Sequence, residues 1–286
     1  MSQQDYSYIQ APVTRLYPAP GSEQPLQGLY LDHRLHTRGS IGRPFIFSNF
    51  ITSLDGRIAI AADGRDTNMV PGAVANPRDW RLYQELAGQA DLLITSGRFL
   101  RQGIIGEAQD NLPVGHEEEY ADIRDWRIEQ GLSAQPDIAV LSASLDIPLE
   151  ALAPYKQRKI KIITGEQADP QRIAALRDNN IEVILAGPGK QVDGRAMISA
   201  LAQHNYQSIY SVAGPAVFHT LLATGAVDRL YITIAYQLLG GHVFDPMTRG
   251  PLLNPARGMQ LVQLYHDPHS PEGAGQMFCV FEPEHP

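Results

Sequence analysis

The order of apolar and polar residues along the chain predicts strands that alternate with helices. Residues 45–51 form an almost wholly apolar run of aromatic and β-branched side chains, which is typical of a strand buried on both faces. Later apolar runs predict strands at residues 91–95, 138–141, 159–164, 181–185, 208–212, 229–238, 260–265 and 276–281. Most of these runs are separated by helix-length segments, so parallel strands with crossover connections are expected.

Capping residues followed by proline, at 76–77 and 169–170, mark the starts of two predicted helices. The first helix has an apolar face at helical spacing, formed by Trp80, Tyr83, Ala87 and Ala90. Core packing explains this face better than a cofactor does, because aromatic stripes of this kind are usually buried. Two more helices are predicted at residues 194–204 and 216–224.

These elements predict an α/β fold with three layers and a mostly parallel central sheet. The last two strands follow each other without a helix, so a hairpin is expected to add an antiparallel C-terminal edge. Residues 43–286 are interpreted as one domain, and residues 1–42 as an arm that packs on it or on a second subunit. Within the arm, residues 29–31 are a candidate edge strand. The charged segment 102–136 is expected to form an exposed helix or an excursion over the surface.

Composition narrows the class of protein. Hydrophobic residues make up 43% of the 286 residues, which is enough for a sizeable core. The net charge of −8 argues against nucleic acid or an anionic membrane as the main partner. No apolar run approaches the ~20 residues of a membrane helix, and the N-terminus lacks the features of a signal peptide, so a cytoplasmic location is expected.

The cysteine and histidine residues predict neither a disulfide nor a metal site. The single cysteine, Cys279, excludes an internal disulfide and is interpreted as a core residue of the last strand. The nine histidines show no metal-ligand spacing, so no metal site is expected.

Turns at strand ends are the candidate places for chemistry. Residues 53–57, Ser-Leu-Asp-Gly-Arg, follow the first strand at the end where open α/β sheets bind ligands. Gly214-Pro215 stands between a strand and a helix, where free N–H groups can meet a pyrophosphate. The alternative interpretation of residues 53–57 is a tight turn that leaves a core strand. The alternative for Gly214-Pro215 is a plain strand-to-helix turn. The turn at 96–98, Ser-Gly-Arg, is a third candidate.

The stretch SLDGRIA at 53–59, directly after a core strand, resembles the reductase domain of the bacterial riboflavin-biosynthesis deaminase-reductase family. A second block agrees in order: Val-Ala-Gly-Pro at 212–215, a helix, Gly-Ala-Val-Asp-Arg-Leu at 225–230 and Leu-Gly-Gly at 239–241. The resemblance covers residues 43–282 and implies a dihydrofolate-reductase-like fold, NADPH as cofactor, a heterocyclic small-molecule substrate and a homodimer. The zinc motifs of the family's deaminase half are missing, so the resemblance is to the reductase half.

The resemblance also implies which residues form the site. Those on the cofactor side are Ile51, Ser53, Thr95, Ser96, Gly97, Arg98, Gly214, Pro215, Ala216, Val217, Gly240 and Gly241. Those on the substrate side are Asp55, Asp66, Arg81 and Val212. Asp55 has two candidate roles: it anchors the turn by accepting backbone N–H bonds, or it binds substrate and delivers a proton as hydride arrives. The structural role is favoured, because the sequence names no partner that would raise its pKa.

The substrate side departs from the family's pattern. Residues 99–103 stand where the family has an Asp-Asp-Pro motif, and Val212 or Ala213 stands in place of a substrate-binding Glu. The first hypothesis is an NADPH-dependent reductase that acts on 5-amino-6-(5-phosphoribosylamino)uracil in riboflavin biosynthesis. The alternatives are a reductase of a pterin, dihydrofolate or another imine or carbonyl, and a non-catalytic nucleotide-binding protein.

Overall fold

Strands and helices alternate along most of the chain in the computed structural model, which describes residues 7–62, 64, 67–107, 111–269 and 273–284. The strands are β1 (Val13–Tyr17), β2 (Ser22–Gln24), β3 (Phe45–Ser53), β4 (Ala59–Ile60), β5 (Leu92–Ser96), β6 (Asp137–Leu141), β7 (Ile160–Thr164), β8 (Glu182–Leu185), β9 (Ser208–Ser211), β10 (Arg229–Ala235), β11 (Phe244–Asp245), β12 (Met259–Asp267) and β13 (Gln276–Pro283). The helices are α1 (Ser7–Gln10), α2 (Pro77–Gly88), α3 (Gly97–Ile104), α4 (Ala121–Glu129), α5 (Pro170–Asp178), α6 (Gly194–Gln203) and α7 (Pro215–Ala223). All strands and helices predicted after residue 43 are confirmed.

Eleven strands form one sheet in the order β2-β1-β12-β13-β10-β3-β9-β5-β6-β7-β8. Every neighbouring pair from β10 to β8 is parallel, and the pairs from β2 to β10 are antiparallel. β12 and β13 are sequential neighbours, which confirms the predicted C-terminal hairpin. β4 and β11 form a separate antiparallel pair of two residues each.

Helices cover both faces of the parallel half of the sheet. Alternate residues of a strand point to opposite faces. Phe47 therefore belongs to the core on one side, with residues of α2, α4 and α5, and Ile46 to the core on the other side, with residues of α6 and α7. Both side chains are fully or almost fully buried, as the continuous apolar run of β3 predicts. Trp80 and Tyr83 lie against the first of these two cores, which confirms core packing as the reason for that aromatic stripe.

The predicted capping residues begin their helices through hydrogen bonds. The Asn76 side chain accepts from the N–H groups of Arg78 and Asp79, and Asp169 accepts from the N–H of Gln171. In each case proline follows at the first helical position, where it has no N–H to leave unpaired.

The N-terminal arm extends the antiparallel edge of the same sheet. β1 pairs with β12, β2 pairs with β1, and Leu26 and Leu35 are completely buried in the core. The candidate strand at 29–31 is wrong, because residues 31–33 form a 3-10 helix and the Tyr30 N–H donates to the Glu85 carboxylate instead of to a strand. The arm therefore packs on its own chain.

The segment 102–136 is less exposed than its charges suggest. It contains the end of α3 and all of α4, and α4 packs against α2 with Ile123 and Arg127 completely buried. Arg127 donates to the main-chain carbonyls of Ala87, Gly88 and Ala90, which lie at the end of α2 and just beyond it. These bonds satisfy carbonyls that a helix end leaves without partners.

Cys279 is a buried residue of β13, as its alternating surroundings predict. Within the described ranges, no helix is long and apolar enough to cross a membrane. The same residues contain no cluster of His, Cys, Asp and Glu that is suited to a metal ion.

Candidate functional site

The carboxyl ends of four adjacent parallel strands bring together segments that are far apart in the sequence. β10, β3, β9 and β5 are neighbours in the sheet. β10 leads into the segment 236–243, β3 into the turn 53–57, β9 into the Gly214 turn and β5 into the start of α3. Ile51 lies opposite Thr233, and Ser53 opposite Ala235, in the register of β3 with β10. The predicted cofactor-side residues thus meet at one edge of the sheet.

The turn after β3 is closed by hydrogen bonds of Ser53. Its hydroxyl donates to Asp55 Oδ1 over 2.5 Å, and its oxygen accepts from the Arg57 N–H over 3.1 Å. The Gly56 N–H donates to the Ser53 carbonyl, and Gly56 has a φ of +79°, which glycine adopts without strain. The Ser-Leu-Asp-Gly-Arg pattern therefore folds as a compact turn.

Asp55 joins this turn to the segment that follows β10. Its carboxylate accepts from the Gly240 N–H over 2.8 Å and from the Leu239 N–H over 3.3 Å, and Arg57 Nη1 lies 2.6 Å from Oδ2. The Ser53 hydroxyl, the Gly240 and Leu239 N–H groups and the Arg57 charge lower the pKa of Asp55 to about 2. The group is therefore ionised at neutral pH. Its contribution to stability is present above the ordinary aspartate pKa and is lost only as the pH falls towards 2.

Arg57 completes the connection between the two segments. Its Nη2 donates to the Gly241 carbonyl over 3.3 Å, and its guanidinium lies 4.5 Å from the centre of the Phe244 ring. Gly240 and Gly241 both have positive φ angles, +66° and +85°, so the chain can bend sharply over the turn. We call Asp55, Arg57, Gly240 and Gly241 the loop clamp. These contacts favour the structural role of Asp55.

The start of α7 is open to an anion. Gly214 is its capping residue and offers no side chain, whereas α2, α3, α5 and α6 each begin with a side chain that accepts from a backbone N–H. The N–H groups of Val217 and Phe218 donate to the Gly214 carbonyl, and that of Ala216 has no acceptor among the described residues. No atom lies within 4 Å of the point where a Cβ would stand on Gly214. A phosphate can therefore approach this backbone closely.

The candidate turn at 96–98 is the beginning of a helix that the sequence analysis did not predict. The Ser96 hydroxyl accepts from the Phe99 N–H over 3.4 Å and caps α3. Gly97 packs so closely on Ser142 that an added Cβ would lie 3.0 Å from its hydroxyl. Arg98 is exposed and forms no ion pair with a described residue, and the Thr95 hydroxyl is buried without a hydrogen-bond partner there.

The predicted substrate-side residues do not assemble as expected. Arg81 is buried inside α2, and its guanidinium pairs with Glu85 over 2.9 Å and with Asp122 over 2.5 Å. The substrate-binding prediction for Arg81 therefore has no geometric support, because its charge is already paired with the buried Glu85 and the partly exposed Asp122. Val212 follows β9 and is half-buried, at the edge described above. Asp66 lies outside the described residues.

Sequence reasoning missed a second carboxyl group near this edge. Asp79, in the first turn of α2, is buried and accepts a hydrogen bond from the Thr233 hydroxyl of β10. Burial raises the pKa of Asp79 to about 6, and the bond from Thr233 offsets only part of that effect. An acidic residue in the first turn of a helix is common, so only its contact with β10 distinguishes it. Of the two carboxyl groups, Asp79 is the one that titrates near neutral pH.

Solved structures share this fold at low sequence identity. A pyrimidine reductase-like protein from Corynebacterium diphtheriae matches with a TM-score of 0.63 and 21% identity, over 86% of this chain and 94% of its own. The riboflavin biosynthesis reductase Rib7 of Saccharomyces cerevisiae matches with a TM-score of 0.55 and 15% identity, over 90% of this chain and 99% of its own. Acinetobacter baumannii RibD matches with a TM-score of 0.57 and 18% identity, over 85% of this chain and 58% of its own.

No curated protein matches the chain. The sequence itself matches a family, described as the RibD C-terminal domain, over residues 44–268. That range contains the turn 53–57, the loop clamp and the start of α7. The sheet order, the helices on both faces and the shared fold of the solved reductases confirm the predicted three-layer α/β fold with a mostly parallel sheet. The chain belongs to the RibD C-terminal domain family.

Proposed function

We propose that this protein is an NADPH-dependent reductase of riboflavin biosynthesis, with 5-amino-6-(5-phosphoribosylamino)uracil or a related heterocycle as substrate. The observation that carries the proposal is the start of α7 at Gly214, which has no capping side chain and follows β9, the neighbour of β3 in the sheet. The chain also belongs to the RibD C-terminal domain family. Two proteins of the same fold are described as a pyrimidine reductase-like protein and a riboflavin biosynthesis reductase, which supports this class of reaction.

When bound, NADPH supplies the hydride, and the protein has to bind, orient and shield the reacting groups. In the proposal, the Ala216 N–H and the positive end of α7 bind the pyrophosphate, with Gly214 allowing close approach. Arg98, exposed at the start of α3, is a cation for the 2′-phosphate. The loop clamp fixes the segment beyond β10 beside the nicotinamide position.

A second candidate is a reductase of a pterin, dihydrofolate or another imine or carbonyl compound. Val212 favours it, because an apolar side chain stands at the end of β9 where the resembled family has a substrate-binding Glu. Substrate choice is therefore tested by turnover, not by fold.

NADPH is expected to bind with a dissociation constant in the low micromolar range, about −7 to −8 kcal/mol, and NADH more weakly. Calorimetric titration measures both, and the Arg98→Ala variant is expected to reduce the preference for NADPH. Oxidation of NADPH should then occur only when one of the candidate heterocycles is added. Absence of binding by either nucleotide would refute a reductase, whereas binding without oxidation by any substrate would favour a non-catalytic nucleotide-binding protein.

The two carboxyl groups are expected to respond differently to pH. Asp79 is protonated below about pH 6, so a proton-donating role predicts that kcat falls as the pH rises through that value. Asp79→Asn should remove this dependence. Asp55→Asn, its matched control, should lower the melting temperature but keep the pH profile, because the Asp55 carboxyl already stays ionised down to about pH 2. If Asp55→Asn alone abolishes the pH dependence, Asp55 is the proton donor and the loop clamp is not its main role.

We also propose that the protein is a homodimer. The C-terminal hairpin offers no free sheet edge to a second chain, because β1 and β2 cover β12. Exposed apolar side chains lie instead in the segment after β10, with Leu238 75% and Leu252 92% exposed. Light scattering should report a particle mass of twice the 31.5 kDa of one chain at micromolar concentration. The Leu238→Asp variant should lower that mass towards the mass of one chain. A wild-type particle of one chain mass would rule the dimer out.

A further inference from the structure

Lysine is rare in this chain and is concentrated in one place. Of its four lysines, Lys156, Lys159 and Lys161 lie together with Arg158 between positions 156 and 161, whereas Lys190 lies apart. The whole chain has a formal net charge of −8, so this segment carries charge of the opposite sign. A cleft lined by one sign of charge concentrates ions of the other sign.

These residues border a groove of about 520 Å3 at the amino ends of β7 and β8. All strands around it are parallel, so this edge of the sheet is the one opposite to the candidate site. The apolar side chains of Leu152, Ile160 and Ile181 line the groove beside the cations. Its volume falls within the range of small-molecule sites, which combine apolar surface with a few polar groups.

The charges of the groove are only partly balanced within the chain. Lys161 is buried and donates to Glu182, the one acidic residue among those that line the groove. Arg158 donates to two main-chain carbonyls. Lys156 and Lys159 are exposed, and neither forms an ion pair with any residue that the structure describes. Two ammonium groups are therefore available to a ligand.

We propose that this groove binds a phosphorylated small molecule with an apolar or aromatic part, at a site separate from the reductase site. Lys156 and Lys159 neutralise the phosphate, and the apolar side chains receive the remainder of the molecule. Because both lysines are exposed, binding weakens as the salt concentration rises. The proposal does not depend on the reductase function.

The scarcity of lysine allows binding to be observed at single residues. Reductive methylation with carbon-13-labelled formaldehyde keeps the charge and gives one dimethyl-lysine NMR signal per lysine, which Lys→Arg variants assign. Phenyl phosphate is the probe, with phenol and inorganic phosphate as comparisons, in the absence and presence of saturating NADPH. We expect the signals of Lys156 and Lys159 to shift with one dissociation constant that NADPH does not change, while Lys190 stays in place.

The double variant Lys156→Glu, Lys159→Glu should bind phenyl phosphate at least about tenfold more weakly. Lys190→Glu is the matched control, since it makes the same change outside the groove, and should bind like wild type. The proposal would be overturned if the double variant and the control lost phenyl phosphate affinity equally. It would also be overturned if the Lys190 signal shifted as much as those of Lys156 and Lys159. Phenol should cause no shift, and inorganic phosphate should bind several-fold more weakly than phenyl phosphate; equal binding of the two anions would refute the role of the apolar side chains.

Discussion

Gly214→Val is expected to weaken NADPH binding at least about a hundredfold, equivalent to about 2.8 kcal/mol, while the protein stays folded. Gly214 has φ −72° and ψ −173°, backbone angles that residues other than glycine also adopt. No atom beyond its two chain neighbours lies within 4 Å of its missing Cβ, so the first atom of the new side chain has room in the free protein. The side chain would instead occupy the space in which we place the pyrophosphate.

Calorimetric titration with NADPH and thermal unfolding measure the two parts of this prediction. Valine is a poorer helix cap than glycine, so a loss of about 1 kcal/mol, or a few degrees of melting temperature, is expected from the fold alone. Gly103→Val is a matched control, because Gly103 also has open space around its missing Cβ but lies near the end of α3. If Gly214→Val binds NADPH as tightly as Gly103→Val, the cofactor does not lie at the start of α7.

Arg78→Ala should destabilise the protein by about 3–5 kcal/mol, because it leaves the Asp267 carboxylate buried without its partner. Both side chains are completely buried, and Nε lies 2.8 Å from Oδ2. Arg78 also donates to the carbonyls of Tyr8 and Ala11, so it joins α2 to the N-terminal arm as well as to β12. The arm is expected to loosen together with the ion pair.

Urea unfolding gives the free energy, and Arg172→Ala is the control. Arg172 is exposed and lies 3.8 Å from Asp169, so its loss should cost less than about 1 kcal/mol. If Arg78→Ala does not fold, the double variant Arg78→Met, Asp267→Leu should recover most of the stability, since it leaves no unpaired charge in the core. Equal costs for Arg78→Ala and Arg172→Ala would show that the buried pair contributes little.

Local pattern was enough to predict the strands after residue 43, except the two-residue β4 and β11, and the helices α2, α5, α6 and α7. The apolar run of β3, the capping pairs before α2 and α5, and the glycine before α7 each act within a few residues of themselves, so their effects can be read in order along the chain. The same reasoning placed the turn 53–57 and Gly214 at strand ends, which the parallel sheet then brought to one edge.

The roles of charged residues depended on partners far away in the sequence. The resemblance implies that Arg81 binds substrate, but its guanidinium pairs with Asp122, which lies 41 positions later. Asp55 reads as a turn aspartate, but its carboxylate accepts from Gly240, 185 positions later. Asp79 gains its raised pKa from burial, which arises only when the chain packs around the start of α2.

Hydrophobic period and capping are local properties, so sequence alone predicted most of the elements, their order and the alternation that makes most of the sheet parallel. Sheet neighbours are chosen by which apolar faces are buried together, and that choice placed β1 beside β12 and turned the N-terminal arm into an edge of the sheet. The protonation and pairing of a side chain depend on its desolvation and on charges within a few ångströms. Only the tertiary structure brings those groups together, and so it alone decided which carboxylate anchors a loop and which one titrates near neutral pH.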